Sequence, residues 1–192
     1  MESNEKEKQV APTSPRPNLY LVGFMGTGKS AVGRRLSTEL GYGYIDSDHW
    51  IEEVEGMPIP EIFARRGEAY FRECERRFVE SGHSEEGMVV SCGGGLVIQP
   101  GMLERLHELG QVFCLFASAE TILERTAHQR NRPLLEADNR KERIQGLLAE
   151  REPLYRKAGT QVVTDRQTIA EVVQRIKRLY LEELNQGKAG GR

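Results

Sequence analysis

The run at residues 23–30, GFMGTGKS, is the feature that most restricts what this chain can fold into. It matches the pattern G-x-x-x-x-G-K-[ST] in full, and it lies between a predicted strand at 19–22 and a helical pattern beginning at about Lys29. Glycines in such a turn let backbone N–H groups converge on phosphate oxygens, and the following helix adds a favourable dipole. The sequence therefore predicts a nucleotide phosphate loop, in which Lys29 reaches the β- and γ-phosphates and Ser30 binds Mg²⁺.

Short apolar runs alternate with helical patterns along the rest of the chain. Further strands are predicted near residues 44–45, 88–91, 112–116 and 161–163, and further helices over 102–109, 119–128, 140–150 and 169–184. This alternation predicts an α/β fold with a parallel sheet and helices on both faces. In such sheets ligands bind at the carboxyl ends of the strands, where the chemically distinctive runs of this sequence lie.

The 192 residues suit one domain with two polar ends. Residues 1–17 contain three prolines and residues 185–192 read NQGKAGGR, so we expect a disordered arm and a disordered tail around a single domain at 18–184. Two segments depart from the alternation. Residues 49–87 form a predicted helical insertion, and residues 129–139, QRNRPLLEADN, have the composition of a mobile lid.

Charge and cysteine content exclude several classes. A net charge of −2 argues against a nucleic-acid or membrane-surface partner, and no apolar stretch approaches the ~20 residues that span a bilayer. The N-terminal run has no apolar segment typical of a secretory signal. Three cysteines without a C-x-x-C pair disfavour a disulfide framework or a zinc site. We therefore expect a cytoplasmic protein with reduced thiols, and we take it to be a monomer.

Two aspartates follow the second predicted strand. If that strand continues, the i,i+2 spacing of Asp46 and Asp48 directs both side chains to one face, where one carboxylate can organise Mg²⁺ and the other can orient an acceptor hydroxyl. A polar turn is the alternative. Asp165 also follows an apolar strand, but it precedes a helix, and we interpret it as an N-cap.

Other polar groups favour an anionic acceptor. Arg72 and Glu75 are i,i+3 neighbours, and taken alone they predict an exposed ion pair on a solvated helix. The triple glycine at 93–95 follows a buried strand, and glycines there allow the backbone to approach a ligand.

Three arginines beyond that point suit anionic or aromatic groups. Arg132, in the lid, can close on transferring phosphoryl charge. Arg151 is predicted at a helix end, where a cation suits the dipole. Arg125 can stack its guanidinium plane on adenine.

Taken together, these runs resemble the shikimate kinase family. The match covers about residues 18–184 and consists, in order, of GFMGTGKS, DSD, FRECE, GGG, RPLL and REPLYRKAG. The resemblance implies a P-loop fold of the nucleoside-monophosphate-kinase type, with a five-stranded parallel sheet, a lid and a substrate-binding insertion at 49–87. It also implies transfer of the γ-phosphate of ATP to the 3-hydroxyl of shikimate.

The same resemblance assigns roles to individual residues. It implies that the shikimate contacts are Asp48, Arg72, Gly94 and Arg151, and that the Mg²⁺-associated residues are Ser30 and Asp46. It implies ATP contacts at Gly26, Thr27, Gly28, Lys29, Ser30, Ala31, Arg125 and Arg132, with catalytic roles for Lys29, Asp48 and Arg132.

Three other interpretations stay open at this point, one of them a stand-alone ATPase switch, which would hydrolyse ATP without an acceptor. Gluconate kinase is similar in its phosphate loop and in an acidic run after the second strand, although FRECE and GGG argue against it. A non-catalytic nucleotide-binding regulator would be expected to lack the acceptor carboxylate or the lid arginine, and Asp48 and Arg132 are both present.

Overall fold

The computed structural model describes residues 16–127 and 139–189, and in this part of the chain five parallel strands form one sheet. The strand order is β2-β3-β1-β4-β5, and the strands are β1 (Asn18–Gly23), β2 (Gly43–Asp46), β3 (Met88–Ser91), β4 (Gly110–Phe116) and β5 (Thr160–Val163). The predicted parallel α/β architecture is confirmed. Residues 1–15 of the predicted arm and residues 129–138 of the predicted lid lie outside the described residues.

The strands are joined by helices that cover both faces of the sheet. They are α1 (Lys29–Leu40), α2 (Ser47–Glu55), α3 (Ile59–Ser81), α4 (Met102–Leu109), α5 (Ala119–Thr126), α6 (Arg140–Lys157) and α7 (Ile169–Ala189). Alternate residues of β1 enter two separate cores: Leu19 packs with α1 and α7, whereas Tyr20 packs with α3, α4 and α6. No helix in the described part of the chain is long and apolar enough to cross a membrane.

The predicted insertion forms a helix pair, α2 and α3, with its own small core of Ile51, Ile62, Phe71 and Cys74. Glu55, the last residue of α2, links the two helices, because its carboxylate forms ion pairs with Arg77 at 2.7 Å and with Arg66 at 3.0 Å on α3. Burial would raise the pKa of Glu55, but hydrogen bonds from Tyr70 and Arg77 outweigh it and lower that pKa. The insertion therefore offers a firm platform beside the sheet.

Two predicted helix ends are wrong. The helix predicted over 140–150 continues to Lys157 as α6, with Pro153 inside it. Ile144 and Tyr155 are both buried in the main core, so tertiary packing on either side of the proline outweighs its missing N–H group. Arg151 therefore lies within α6 and not at its end. The last helix also passes the predicted boundary at 184 and ends at Ala189.

The interpretation of Asp165 as the N-cap of the following helix is wrong. The Asp165 carboxylate accepts hydrogen bonds from Ser118 N at 2.9 Å and Thr121 Oγ1 at 2.7 Å, at the start of α5. The N-terminus of α7 is capped by Thr168, whose Oγ1 accepts from Glu171 N while Glu171 accepts from Thr168 N. Asp165 is thus a structural link between β5 and α5.

Alanine substitutions at two glycines, one before β5 and one inside α6, should change the stability of the protein in opposite directions. Gly159, just before β5, has φ +146°, and a Cβ there would overlap the carbonyl oxygen of Val112 in β4. We expect Gly159→Ala to lower the free energy of unfolding by at least about 3 kcal/mol. Gly146→Ala, at an open position inside α6, should instead raise it by about 0.5–1 kcal/mol. Urea unfolding of both variants measures the difference, and equal effects would contradict this account.

Candidate active site

The phosphate loop connects β1 to α1 through two glycines in left-handed conformations. Gly26 has φ +76° and Gly28 has φ +98°, values that side chains rarely allow. Lys29 folds back across the loop, and its Nζ donates to Gly23 O at 2.9 Å and Phe24 O at 3.0 Å. The first turn of α1 has no acidic residue. The loop therefore combines a helix N-terminus, glycines without side chains and an ammonium group, a combination that suits anion binding.

Oxygen atoms from α1 and β2 meet beside this loop. Ser30 Oγ donates to Asp46 Oδ2 at 2.8 Å, and Tyr44 OH lies 3.3 Å from the same carboxylate oxygen and 3.2 Å from Ser91 Oγ. Asp46 and Ser91 are register partners at the ends of β2 and β3. Hydroxyl and carboxylate oxygens are the ligands that Mg²⁺ prefers. The structure therefore brings together the two residues predicted to be associated with the metal.

The two aspartates do not share a strand face, so the geometric reason given for pairing them is wrong. The strand ends at Asp46, which caps α2 and accepts a hydrogen bond from Asp48 N at 3.2 Å. Asp48 lies in the first turn of α2. Its side chain lies so close to Gly93 that a Cβ there would overlap Asp48 Oδ1. The two carboxylates therefore point to different neighbours, because the strand ends at Asp46 and a helix begins before Asp48.

Each glycine of the triple glycine, residues 93–95, is approached by a side chain from a different helix. Asp48 of α2 lies against Gly93, Tyr155 of α6 donates to the carbonyl of Gly94 at 2.6 Å, and a Cβ on Gly95 would overlap the Arg72 guanidinium of α3. A Cβ on Gly94 would also lie 3.6 Å from the carbonyl oxygen of Gly23 in the phosphate loop. The triple glycine therefore joins a side-chain cluster to the phosphate loop.

The Arg72–Glu75 pair is not the exposed ion pair that the spacing alone predicts. Arg72 Nη1 lies 2.7 Å from Glu75 Oε2, and the two side chains are 23% and 1% exposed. Burial raises the pKa of Glu75 to about 7, although Arg72 opposes the shift. Burial lowers the pKa of Arg72, but the carboxylates of Glu75 and Glu68 raise it by more. An arginine held in this way keeps its full charge at the rim of the cluster.

Arg151 reaches the same region from α6. Its guanidinium lies 5.9 Å from the Phe24 ring of the phosphate loop, and its positive charge acts on Tyr155 one turn along the helix. Burial raises the pKa of Tyr155 to about 12, so this phenol stays protonated and donates to Gly94. Tyr155 was missed from the sequence. Its i,i+4 spacing from Arg151 is the signal that could have revealed it.

Arg125 of α5 lies against the phosphate loop. It donates to Thr164 Oγ1 at 3.0 Å and to Thr164 O at 2.9 Å, which places it between α5 and the segment after β5. Its Nη1 would lie 4.0 Å from a Cβ on Gly28. The structure thus brings Arg125 to the phosphate loop, while Arg132 lies outside the described residues.

Comparison with known proteins agrees with this geometry. A family model described as shikimate kinase matches residues 25–180. The chain belongs to the shikimate kinase family. A shikimate kinase from Geobacter metallireducens is 46% identical over 172 residues, which cover 90% of this chain and 95% of that protein. The solved structure of a shikimate kinase from Acinetobacter baumannii in complex with shikimate superposes with a TM-score of 0.83 and 38% identity, over 88% of this chain and 94% of that one.

The gluconate kinase alternative has a counterpart among the solved structures. A gluconokinase from Sinorhizobium meliloti is 22% identical to this chain, over 90% of it and 98% of that protein, with a TM-score of 0.54. A likeness at this level shows a shared fold only. Together with the shikimate kinase structures, it confirms the predicted P-loop kinase fold. Members of the family are ATP-dependent kinases that phosphorylate an alcohol group.

Proposed function

We propose that this protein transfers the γ-phosphate of ATP to the 3-hydroxyl of shikimate, giving shikimate 3-phosphate and ADP. The observation that carries the proposal is the convergence of Asp48, Arg72 and Tyr155 on the triple glycine, which itself lies against the phosphate loop. Neighbouring donor and acceptor sites allow the phosphoryl group to pass directly from one substrate to the other. Enzymes catalyse this transfer chiefly by positioning the substrates and stabilising charge.

The acceptor half suits a hydroxylated carboxylate. Arg72 and Arg151 approach from α3 and α6, and a guanidinium fork matches the geometry of a carboxylate group. Asp48, which lies against Gly93, is the group that would accept a hydrogen bond from the acceptor hydroxyl. Gly94 carries no side chain, so its backbone could approach a ring hydroxyl of the acceptor.

The donor half suits a nucleoside triphosphate with Mg²⁺. Residues 26–31 would supply backbone N–H groups and Lys29 to the phosphates, and Arg125, which Thr164 holds beside the loop, would stack on the adenine base. Ser30 and Asp46 would hold the metal, which fits a cation that usually takes one or two carboxylates together with phosphate oxygens. The described residues contain no cluster of three or more His, Cys, Asp or Glu side chains suited to a metal. Bound Mg²⁺ neutralises charge that develops on the phosphates.

The chemical step follows from these positions. The acceptor hydroxyl oxygen attacks the γ-phosphorus, the bond to the β–γ bridging oxygen breaks, and ADP leaves. Asp48 orients the hydroxyl and takes its proton late in the step, while Lys29 stabilises charge on the transferring group. Arg132 is proposed to close over the phosphates as part of the lid and to exclude water. The proposal includes a monomer that acts in the cytoplasm and binds neither nucleic acid nor a membrane.

A coupled assay of ADP release tests the proposal most directly. Purified protein with Mg·ATP should release little ADP alone, and release should rise at least about 10²-fold with shikimate but stay near background with gluconate. The difference is expected because gluconate lacks the ring that fits between Arg72 and Asp48. Equal turnover with gluconate would favour the gluconate kinase alternative. ATP binding without turnover on either acceptor would favour the nucleotide-binding regulator.

A further inference from the structure

Gln99 lies between the triple glycine and α3, just beyond a short 3-10 turn at Leu96–Ile98. Its Nε2 donates to Glu75 Oε2 at 2.6 Å, and its Oε1 accepts from Arg76 Nη1 at 3.0 Å. A guanidinium group only donates and an ionised carboxylate only accepts. The neighbours of Gln99 therefore determine which way its amide faces, and the amide donor is directed at Glu75.

Glu75 is a buried carboxylate with few donors. Arg72 and Gln99 share its Oε2, and Oε1 has no hydrogen-bond partner among the described residues. The other ionisable groups that face it are Asp48 of α2, Glu68 of the same helix and Cys92 after β3, and none of them favours its charged form. A buried charge needs such donors to stay ionised. The charge of Glu75 thus depends on Arg72 and Gln99 together.

Arg72 is shared between two carboxylates on opposite sides. Towards the triple glycine, its Nη1 binds buried Glu75 at 2.7 Å. Towards solvent, its Nε and Nη2 bind Glu68, whose side chain is 66% exposed, at 3.2 and 2.8 Å. If Glu75 becomes neutral, the remaining full charge that attracts Arg72 is Glu68. The guanidinium would then turn outward, away from the acceptor site.

We propose that Gln99 is a positioning residue: its amide keeps Glu75 charged and facing Arg72, and so keeps Arg72 beside the triple glycine. This inference rests on the proposed function, in which Arg72 contacts the carboxylate of shikimate. Gln99 itself touches neither the acceptor nor the phosphate loop among the contacts described. It acts through Glu75, and its effect must therefore depend on the protonation of that carboxylate.

Gln99→Leu tests the inference, because leucine keeps similar bulk and removes both hydrogen-bonding groups. Calorimetric titration of shikimate should give a Kd about fivefold higher at pH 7, because a rise of about one unit in the pKa of Glu75 lowers its charged fraction there from about a half to about a tenth. The pH below which shikimate binding weakens should move up by about one unit. The Kd for Mg·ATP should change less than twofold, which also shows that the variant is folded.

Two controls separate positioning from a general packing effect. Gln161→Leu makes the same change at an exposed glutamine on β5, and it should leave both affinities and the pH profile unchanged. Glu75→Gln removes the titrating group, so adding Gln99→Leu to that variant should produce no further shift in the pH profile.

The outcomes distinguish this inference from the proposed function. Wild-type protein that binds no shikimate would overturn both. Normal wild-type binding, with an unshifted pH profile in Gln99→Leu or with an equal shift in the Glu75→Gln background, would overturn the positioning role alone.

Discussion

Asp48→Asn is expected to lower kcat by about 10²- to 10⁴-fold, the usual contribution of a positioned acid–base group. Asparagine keeps the shape of the side chain but removes the charge and half of the hydrogen-bond acceptor capacity. Because Asp48 lies against Gly93 of the triple glycine, we expect the loss to affect the acceptor and not the nucleotide. Shikimate affinity should fall as well, while Mg·ATP affinity stays within about twofold. Steady-state kinetics and titration of each ligand measure the three quantities.

Asp46→Asn is the matched control, two residues away. Asp46 caps α2, and asparagine caps helices as well as aspartate does, so the fold of the insertion should persist. This variant should need more Mg²⁺ for half-maximal rate and should still bind shikimate measurably, because Asp46 faces Ser30 rather than the triple glycine. The reverse pattern, with Asp48→Asn impaired in its Mg²⁺ response and normal in shikimate binding, would show that the two roles are exchanged.

Arg72→Ala is expected to raise the KM for shikimate by about 30-fold or more, since truncating one member of a buried, hydrogen-bonded charge pair costs about 2–5 kcal/mol. The physical reason is the loss of a guanidinium fork that is largely buried and already held in place by Glu75. The KM for ATP should stay within about twofold, because Arg72 contacts α3 and the triple glycine rather than the phosphate loop. Initial-rate kinetics with each substrate varied in turn measure this split.

Arg72→Ala also leaves the buried Glu75 carboxylate without its main ion-pair partner, which should destabilise the protein. The double variant Arg72→Ala/Glu75→Gln, which removes that unpaired charge, is therefore the control. The double variant should regain thermal stability but not shikimate affinity. Arg65→Ala, which removes an exposed ion pair with Glu61 on the same helix, should change neither KM. A larger rise in the KM for ATP than for shikimate in Arg72→Ala would contradict the acceptor role of this arginine.

Local sequence patterns predicted the main elements of the fold. The phosphate loop, the parallel sheet and the helical insertion follow from the glycine spacing at 23–30, from short apolar runs and from helical periodicity, and each of these signals is contained in a few neighbouring residues. Helix ends were predicted less well. The helix predicted to end at residue 150 continues past Pro153, because Tyr155 beyond that proline is buried, and Arg151 therefore lies inside the helix.

The sequence by itself therefore determined the fold class, the family resemblance and which residue types are available for phosphoryl transfer. Only the tertiary structure decided how those residues meet. Whether Arg72 and Glu75 form an exposed or a buried pair depends on what covers α3, and Gln99 comes from a segment 24 positions further along the chain. Burial, and the pKa changes that follow from it, arise from contacts between distant segments, which spacing along one helix does not encode.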